Sequence, residues 1–280
     1  MDVSTLLKFK KKHTRFFVCR KKEKMESLKL NELTKKKLDD TYVVVYAIKN
    51  ELNIKKADIV EKNDIYTLIG VDIKGIRHLL NIYADKINNS HFWLDAFEGL
   101  KSRGVKNILF LSVDNNKNMK RTAKIAFPNI TFTDSLTSIY PKFYKYISER
   151  SSKNIAGKIK ELYIQKTLED YKNVFKIFSE KYNNVIHKSL IAKYLNNVEN
   201  TYKYSQNIRT LLFKHSANVQ YYDKIRLTFD DTRYINSFED LFNELDDNKY
   251  KYFGYTSFQK KEWTLILNDL IQIYPDIEFI

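Results

Sequence analysis

A chain of 280 residues, 43% hydrophobic and 14% aromatic, is long enough to bury a sizeable core and too apolar to remain unfolded. Its 49 Lys and Arg against 34 Asp and Glu leave a formal charge of +15, which favours an anionic partner such as nucleic acid. Part of that basicity is what an AT-biased genome produces in any chain, since Lys, Asn, Ile and Tyr are all abundant. The single cysteine, Cys19, excludes an internal disulfide framework and any cysteine-rich zinc site. Apolar runs are too short to span a bilayer and no secretion signal is visible at the start, so a soluble cytoplasmic protein without membrane contact is expected.

Residues 1–37 form a basic, mostly polar arm. Its clusters Lys10, Lys11, Lys12 and Arg20, Lys21, Lys22 are the expected DNA-binding residues, acting by non-specific phosphate attraction. The stretch from Thr41 to Ile48 is β-branched and aromatic and predicts a strand. Ile65 to Val71 and Arg77 to Tyr83 predict two more, with Asp72, Ile73, Lys74 and Gly75 supplying hairpin-turn chemistry between them. Ser90 is a capping residue, and Phe92, Trp93, Ala96, Phe97 and Leu100 recur at helical spacing up to a stop at Gly104. Asn107 to Val113 is an apolar run that predicts a strand buried on both faces. Asn115 to Asn118 is turn material, Met119 to Phe127 a helix, and Ile130 to Thr133 a short strand.

Residues 140–215 change texture. Ile155, Ile159 and Leu162, then Val174, Ile177, Phe178 and Tyr182, repeat at helical period, which predicts an all-helical insertion. Trp263, Ile266, Leu267, Leu270 and Tyr274 predict a closing amphipathic helix within 216–280. Three strands, a helix, a strand, a helix and a strand suit an α/β fold with an RNase H-like mixed sheet flanked by helices. Residues 38–139 would then be the first part of that core, and 216–280 would complete it.

Asp114 closes the apolar strand, where open α/β sheets place their chemistry; a helix cap or a turn would use the same residue type. Asp39 and Asp40 both precede the first strand, and spacing alone does not choose between them. An acid on each of two neighbouring strands is what a pair of divalent ions would need. Histidines 13, 78, 91, 187 and 215 have no metal-ligand spacing.

From Leu38 onward the chain resembles the Mutator-type insertion-sequence transposases of bacteria. Leu38-Asp39-x-x-Tyr42 matches their opening Leu-Asp-x-x-Tyr signature. The segment from Asn89 to Val105 looks like their Phe-Trp-Leu and Leu-Lys-x-Arg-Gly-Val block. Val113-Asp114 and Ala126-Phe127-Pro128 are similar to their second-Asp strand and its following Phe-Pro. Trp263 to Leu270 resembles their closing Trp-x-x-x-Leu-Asn-x-Leu helix.

The resemblance implies DDE transposition, in which two Asp and one Glu hold Mg²⁺ or Mn²⁺ for phosphodiester cleavage and strand transfer. It makes Asp39 and Asp114 the catalytic, metal-binding acids. It also implies DNA as partner, with a homo-oligomer or a mixed oligomer with an intact transposase as the assembly. Three departures stand against full activity. The position of the family's Glu falls on Val219, or on Gln220 with a one-residue shift, and neither can be an anionic ligand. Asp223, a turn further on, is the one candidate substitute, with a side chain shorter than the family's Glu. The family's small residue and His after the second Asp are Asn115 and Asn116 here, and its Cys-x-x-His pair falls on Ser135 and Ser138. The expectation is a transposase of impaired catalysis, with a non-catalytic DNA-binding or regulatory derivative as the alternative. Residues 1–37 would be the remnant of the family's DNA-binding region.

Overall fold

The computed structural model describes residues 35–56, 59–85, 89–113, 116–133, 161, 165–182, 199–213, 234–235, 240, 253, 256 and 258–279. They form a mixed sheet whose main path has five strands, with five helices. In chain order the elements are β1 (Thr41–Lys56), β2 (Ile59–Asp72), β3 (Arg77–Asp85), α1 (Ser90–Ser102), β4 (Asn107–Ser112), α2 (Lys117–Ala126), β5 (Thr131–Thr133), α3 (Leu168–Tyr182), α4 (Gln206–Phe213), β6 (Tyr234–Ile235) and α5 (Lys260–Ile273). The spatial order is β3-β2-β1-β4-β5, and β6 pairs with β1. β1, β2 and β3 are antiparallel, whereas β4 is parallel to both β1 and β5.

β1 and β2 run well beyond the stretches that composition marks as strand. Their pairing continues from Ile48↔Thr67 out to Lys56↔Ile59. The extension is polar on one side, where Lys49 meets Asp64 at 2.8 Å and Lys62 meets Glu51 at 2.6 Å. On the other side Leu52 and Ile54 are buried. A period-2 pattern with ion pairs on its wet face looks like a polar segment in a linear scan, and only pairing reveals it as strand.

The sheet is covered on both faces. Tyr42, Val45 and Ala47 pack with Trp93, Phe97 and Leu100 of α1 and Met119 and Ala123 of α2. Val44, Tyr46 and Ile48 pack on the other side with Ile208 and Leu211 of α4 and Trp263, Ile266 and Leu270 of α5. Val43 joins the second set beside Val44, because a register shift between Tyr42 and Val44 places two consecutive residues on one face. The Tyr46 hydroxyl donates to the Leu211 carbonyl at 3.0 Å, fixing α4 against β1.

Local details correct several expectations. Asn89, not Ser90, caps α1, its side chain accepting from the Phe92 N–H at 2.8 Å. Asn116 caps α2 in the same way through Met119 N–H at 2.9 Å. Gly104 ends α1 at φ +114, where a Cβ would meet the Leu38 carbonyl at 3.0 Å. In α3 the buried face is Tyr171, Phe175, Phe178 and Tyr182. Ile177, expected on that face, is 66% exposed. Ile155, Ile159 and Leu162 lie outside the described residues, so the predicted helical block is represented by α3 and α4. Among the described residues no helix is long and apolar enough to cross a membrane.

Candidate functional site

Asp39 sits just ahead of β1, in a segment strapped to the start of β4. Leu38 N–H donates to the Arg103 carbonyl at 2.8 Å, and the Asp40 carbonyl accepts from Lys106 N–H (2.7 Å) and Asn107 N–H (2.9 Å). Arg103 completes the strap. Its Nε donates to the Lys36 carbonyl at 2.9 Å and its Nη1 to the Leu80 carbonyl at 2.7 Å. The family-like Arg-Gly-Val segment thus works as a clip between α1, β3 and the approach to β1. Burial lowers the Arg103 pKa from its ordinary value, and the two carbonyls replace part of the hydration lost by the guanidinium, whose Nη2 has no hydrogen-bond partner among the described residues.

The Asp39 carboxylate has two neighbours that linear spacing did not single out. Asp72 ends β2 and opens the hairpin turn, with a side chain only 6% exposed. Its Oδ1 accepts from the N–H groups of Lys74 and Ile76, each at 2.8 Å. Its Oδ2 lies 2.8 Å from His78 Nε2, and Asp39 Oδ2 lies 3.7 Å from the same nitrogen. Among the described residues, Asp39, Asp72 and His78 form the group whose carboxylate and imidazole atoms lie within 4.8 Å of one another.

Pairing explains the convergence. Tyr42 lies opposite Asp72 and His78 opposite Gly70, and side chains two apart on a strand share a face. Tyr42, Asp72, Gly70 and His78 therefore face the same way. The Tyr42 ring packs edge-on to His78 at 6.1 Å, and its hydroxyl accepts from the Asp39 N–H at 3.3 Å. Burial is the first cause of a Tyr42 pKa raised well above the ordinary tyrosine value. The signal that would have found His78 is the turn: once Asp72 to Gly75 is a hairpin, cross-strand arithmetic brings His78 beside Asp72.

Chemically, the Asp, Asp, His set is held together through the imidazole, which hydrogen-bonds Asp72, and its donor types suit one divalent ion. It does not fit a two-ion centre. One oxygen of Asp72 is already committed to turn amides, and two-metal phosphoryl transfer requires several hard oxygen donors shared between ions about 4 Å apart.

The second predicted acid belongs to the other end of β4. Asp114, Val219, Gln220 and Asp223 lie outside the described residues, as do Ser135, Ser138, Cys19 and the basic clusters Lys10, Lys11, Lys12 and Arg20, Lys21, Lys22. The strand that leads to Asp114 is described, however. Thr41 pairs with Asn107 and Tyr46 with Ser112 in parallel register. Asp39 thus flanks the amino end of β4. Its carboxyl end is roughly 17 Å away, at about 3.3 Å per residue. The β1 residue level with Ser112 at that far end is Tyr46, followed along the strand by Ala47 and Ile48, all buried and none a carboxylate.

Comparison with known proteins places these features in a family. The family model described as "Transposase, Mutator family" matches residues 18–220. A "Probable transposase for insertion sequence element" of Corynebacterium diphtheriae is 22% identical over 132 residues, covering 47% of this chain and 38% of the relative. A "Probable transposase for insertion sequence element ISRM3-like" of Sinorhizobium fredii is 19% identical over 200 residues, 70% of this chain and 50% of the relative. The "Transposase for insertion sequence element ISRM3" of Rhizobium meliloti is 18% identical over 200 residues, with the same coverage. The matched regions span half or less of the length of these relatives.

Proposed function

Because this chain belongs to the Mutator family of transposases, we propose that it is a transposase-derived DNA-binding protein whose DDE chemistry is impaired. The fold we assign is RNase H-like. In support, three antiparallel strands lead into parallel β4 and β5, in the order β3-β2-β1-β4-β5, with helices on both faces. The helical insertion at 140–215 is supported by α3 and α4, which fall inside it.

The observation that carries the reading of impaired catalysis is the register of β1 on β4. A DDE centre at the carboxyl end of β4 draws its first acid from the neighbouring strand β1. There Tyr46 is level with Ser112 and is followed along β1 by Ala47 and Ile48, while Asp39, the acid the signature aligns, stands at the opposite end. Together with Val219 or Gln220 at the third position, this supports a degenerate centre: among the described residues of β1, no acid stands level with the carboxyl end of β4. Mg²⁺ or Mn²⁺ would be the ion of a complete centre, supplying charge neutralisation and an activated water. No step is assigned to it here, because the donor set on the strands does not fit. What remains is attraction of a +15 chain for DNA in the cytoplasm, alone, as a homo-oligomer or in a mixed oligomer with an intact transposase.

The test is a nicking and strand-transfer assay on plasmid and short duplex DNA with Mg²⁺ or Mn²⁺, alongside a binding titration. The expected result is metal-independent binding with a steep salt slope and no cleavage above the level of the Asp114→Asn variant. Robust metal-dependent cleavage that Asp114→Asn or Asp39→Asn abolishes would overturn the reading.

A further inference from the structure

A cationic face also lies among the described residues. α2 carries Lys117, Lys120, Arg121 and Lys124 and no acid along its ten residues. Its buried positions are Met119, Thr122, Ala123 and Ala126. At 100° per residue, the four basic positions fall within an arc of about 100° directly opposite that core-facing stripe. Lys117, Arg121 and Lys124 are exposed, and none is in an ion pair with a described acid. The other described helices with exposed basic residues mix the two signs. α1 has Asp95 and Glu98 with Lys101, α3 has Glu169, Asp170 and Glu180 among its lysines, and α5 has Glu262 and Asp269 with Lys260 and Lys261. Among the described helices, α2 alone combines several exposed cations with no acid.

We infer that the outward face of α2 is a track for the phosphate backbone of duplex DNA. This inference rests on the reading that the chain binds DNA. From Lys117 to Lys124 the stripe is about 10 Å long at 1.5 Å per residue, a length over which one DNA strand presents about three phosphates at 3.4 Å per nucleotide. Lysine and arginine side chains reach several ångströms beyond the helix, so three or four contacts fit without bending the duplex. The contacts read charge and not sequence. α2 begins three residues after Asp114 in the chain, the acid that the family resemblance aligns with a catalytic position.

The experiment compares two triple variants with the same loss of three positive charges. One is Lys117→Gln, Arg121→Gln and Lys124→Gln on α2. The other is Lys172→Gln, Lys176→Gln and Lys181→Gln on α3. All six side chains are exposed; Lys124 donates to the Ile130 carbonyl, Lys181 lies over the Tyr182 ring and Lys172 pairs with Glu199, so far-UV circular dichroism and a denaturation midpoint verify the fold of each variant. Binding to a duplex DNA of about three helical turns is measured between 50 and 200 mM salt. The α2 variant is expected to bind roughly tenfold more weakly, with its log–log salt slope reduced by about 2 to 3. The α3 variant should change by less than about twofold. Equal weakening by the two sets, an unchanged α2 variant, or a loss confined to duplex RNA would overturn the assignment of this face. Absence of binding by the unmodified chain would overturn the functional reading itself, and that outcome is distinct from the other three.

Discussion

The indole N–H of Trp263 donates to the carbonyl of Ile73 at 2.8 Å, across 190 positions of sequence. It joins α5 to the β2–β3 turn, whose other end holds Asp72 against His78. The same ring closes over Gly75, where an added Cβ would lie 2.9 Å from the indole. The turn is therefore held from two sides, by the Asp72 carboxylate within and by α5 above. Replacing Trp263 with Phe should cost about 1–3 kcal/mol, because the Ile73 carbonyl loses its donor. Urea denaturation of the full chain measures this; a loss below about 0.5 kcal/mol would mean that water replaces the indole without penalty.

Two glycines separate backbone strain from simple composition. Gly75 has φ +78 and no room for a methyl group, whereas Gly99 in α1 has nothing within 4 Å of its added Cβ. Gly75→Ala should destabilise by about 2–3 kcal/mol through positive φ and overpacking. Gly99→Ala should be neutral or stabilise by up to about 1 kcal/mol, since Ala is the better helix former. Denaturation midpoints that move equally for both would contradict this account of the turn.

Asp72 holds the clasp through both carboxylate oxygens. Asp72→Ala removes the acceptor for two turn amides and the partner of His78, and should cost about 3 kcal/mol. Asp72→Asn keeps an oxygen for those amides and should recover roughly half of the loss. Equilibrium unfolding at neutral pH of both variants decides the matter. Should Asp72→Ala behave like the wild type, the turn holds itself without its carboxylate.

Buried tyrosines predict an alkaline limit to stability. Tyr42, Tyr46 and Tyr171 have pKa values raised above the ordinary value of 10.0, in each case first by burial. Below pH 10 these hydroxyls are neutral in both folded and unfolded chains. Above it the unfolded chain releases the protons and the folded one does not, so stability falls as pH rises from about 10. Tyrosinate absorbance during a pH titration should show a group of tyrosines that ionises only together with loss of the circular dichroism signal. Titration of every tyrosine near pH 10 with the fold intact would be the contrary result.

Much of the frame is legible in the residues. The hairpin turn at Asp72 to Gly75, the aromatic face of α1, the doubly buried β4 and the amphipathic α5 all follow from local pattern, because each depends on residues within a few positions of one another. α5 also shows how far such pattern reaches. It lies beyond the region matched by the family model, residues 18–220, yet it supplies Trp263, Ile266 and Leu270 to the core. The outer half of the β1–β2 ribbon was less legible. Its strand character resides in cross-strand pairs such as Lys49 with Asp64, and a linear scan cannot see a partner.

The sequence by itself determined that this is a basic α/β chain with the ordered blocks of a Mutator-type transposase, and that it carries Asp39 and Asp114 but no acid at Val219 or Gln220. Side-chain chemistry and short-range spacing are enough for that. Which acids can meet was decided only by tertiary structure, because distance across a sheet is set by strand register. Tyr46 stands beside Ser112, so Asp39 comes to the amino end of β4. Its neighbours there are Asp72 and His78, which flank the turn of a hairpin that local pattern had marked without bringing it to Asp39.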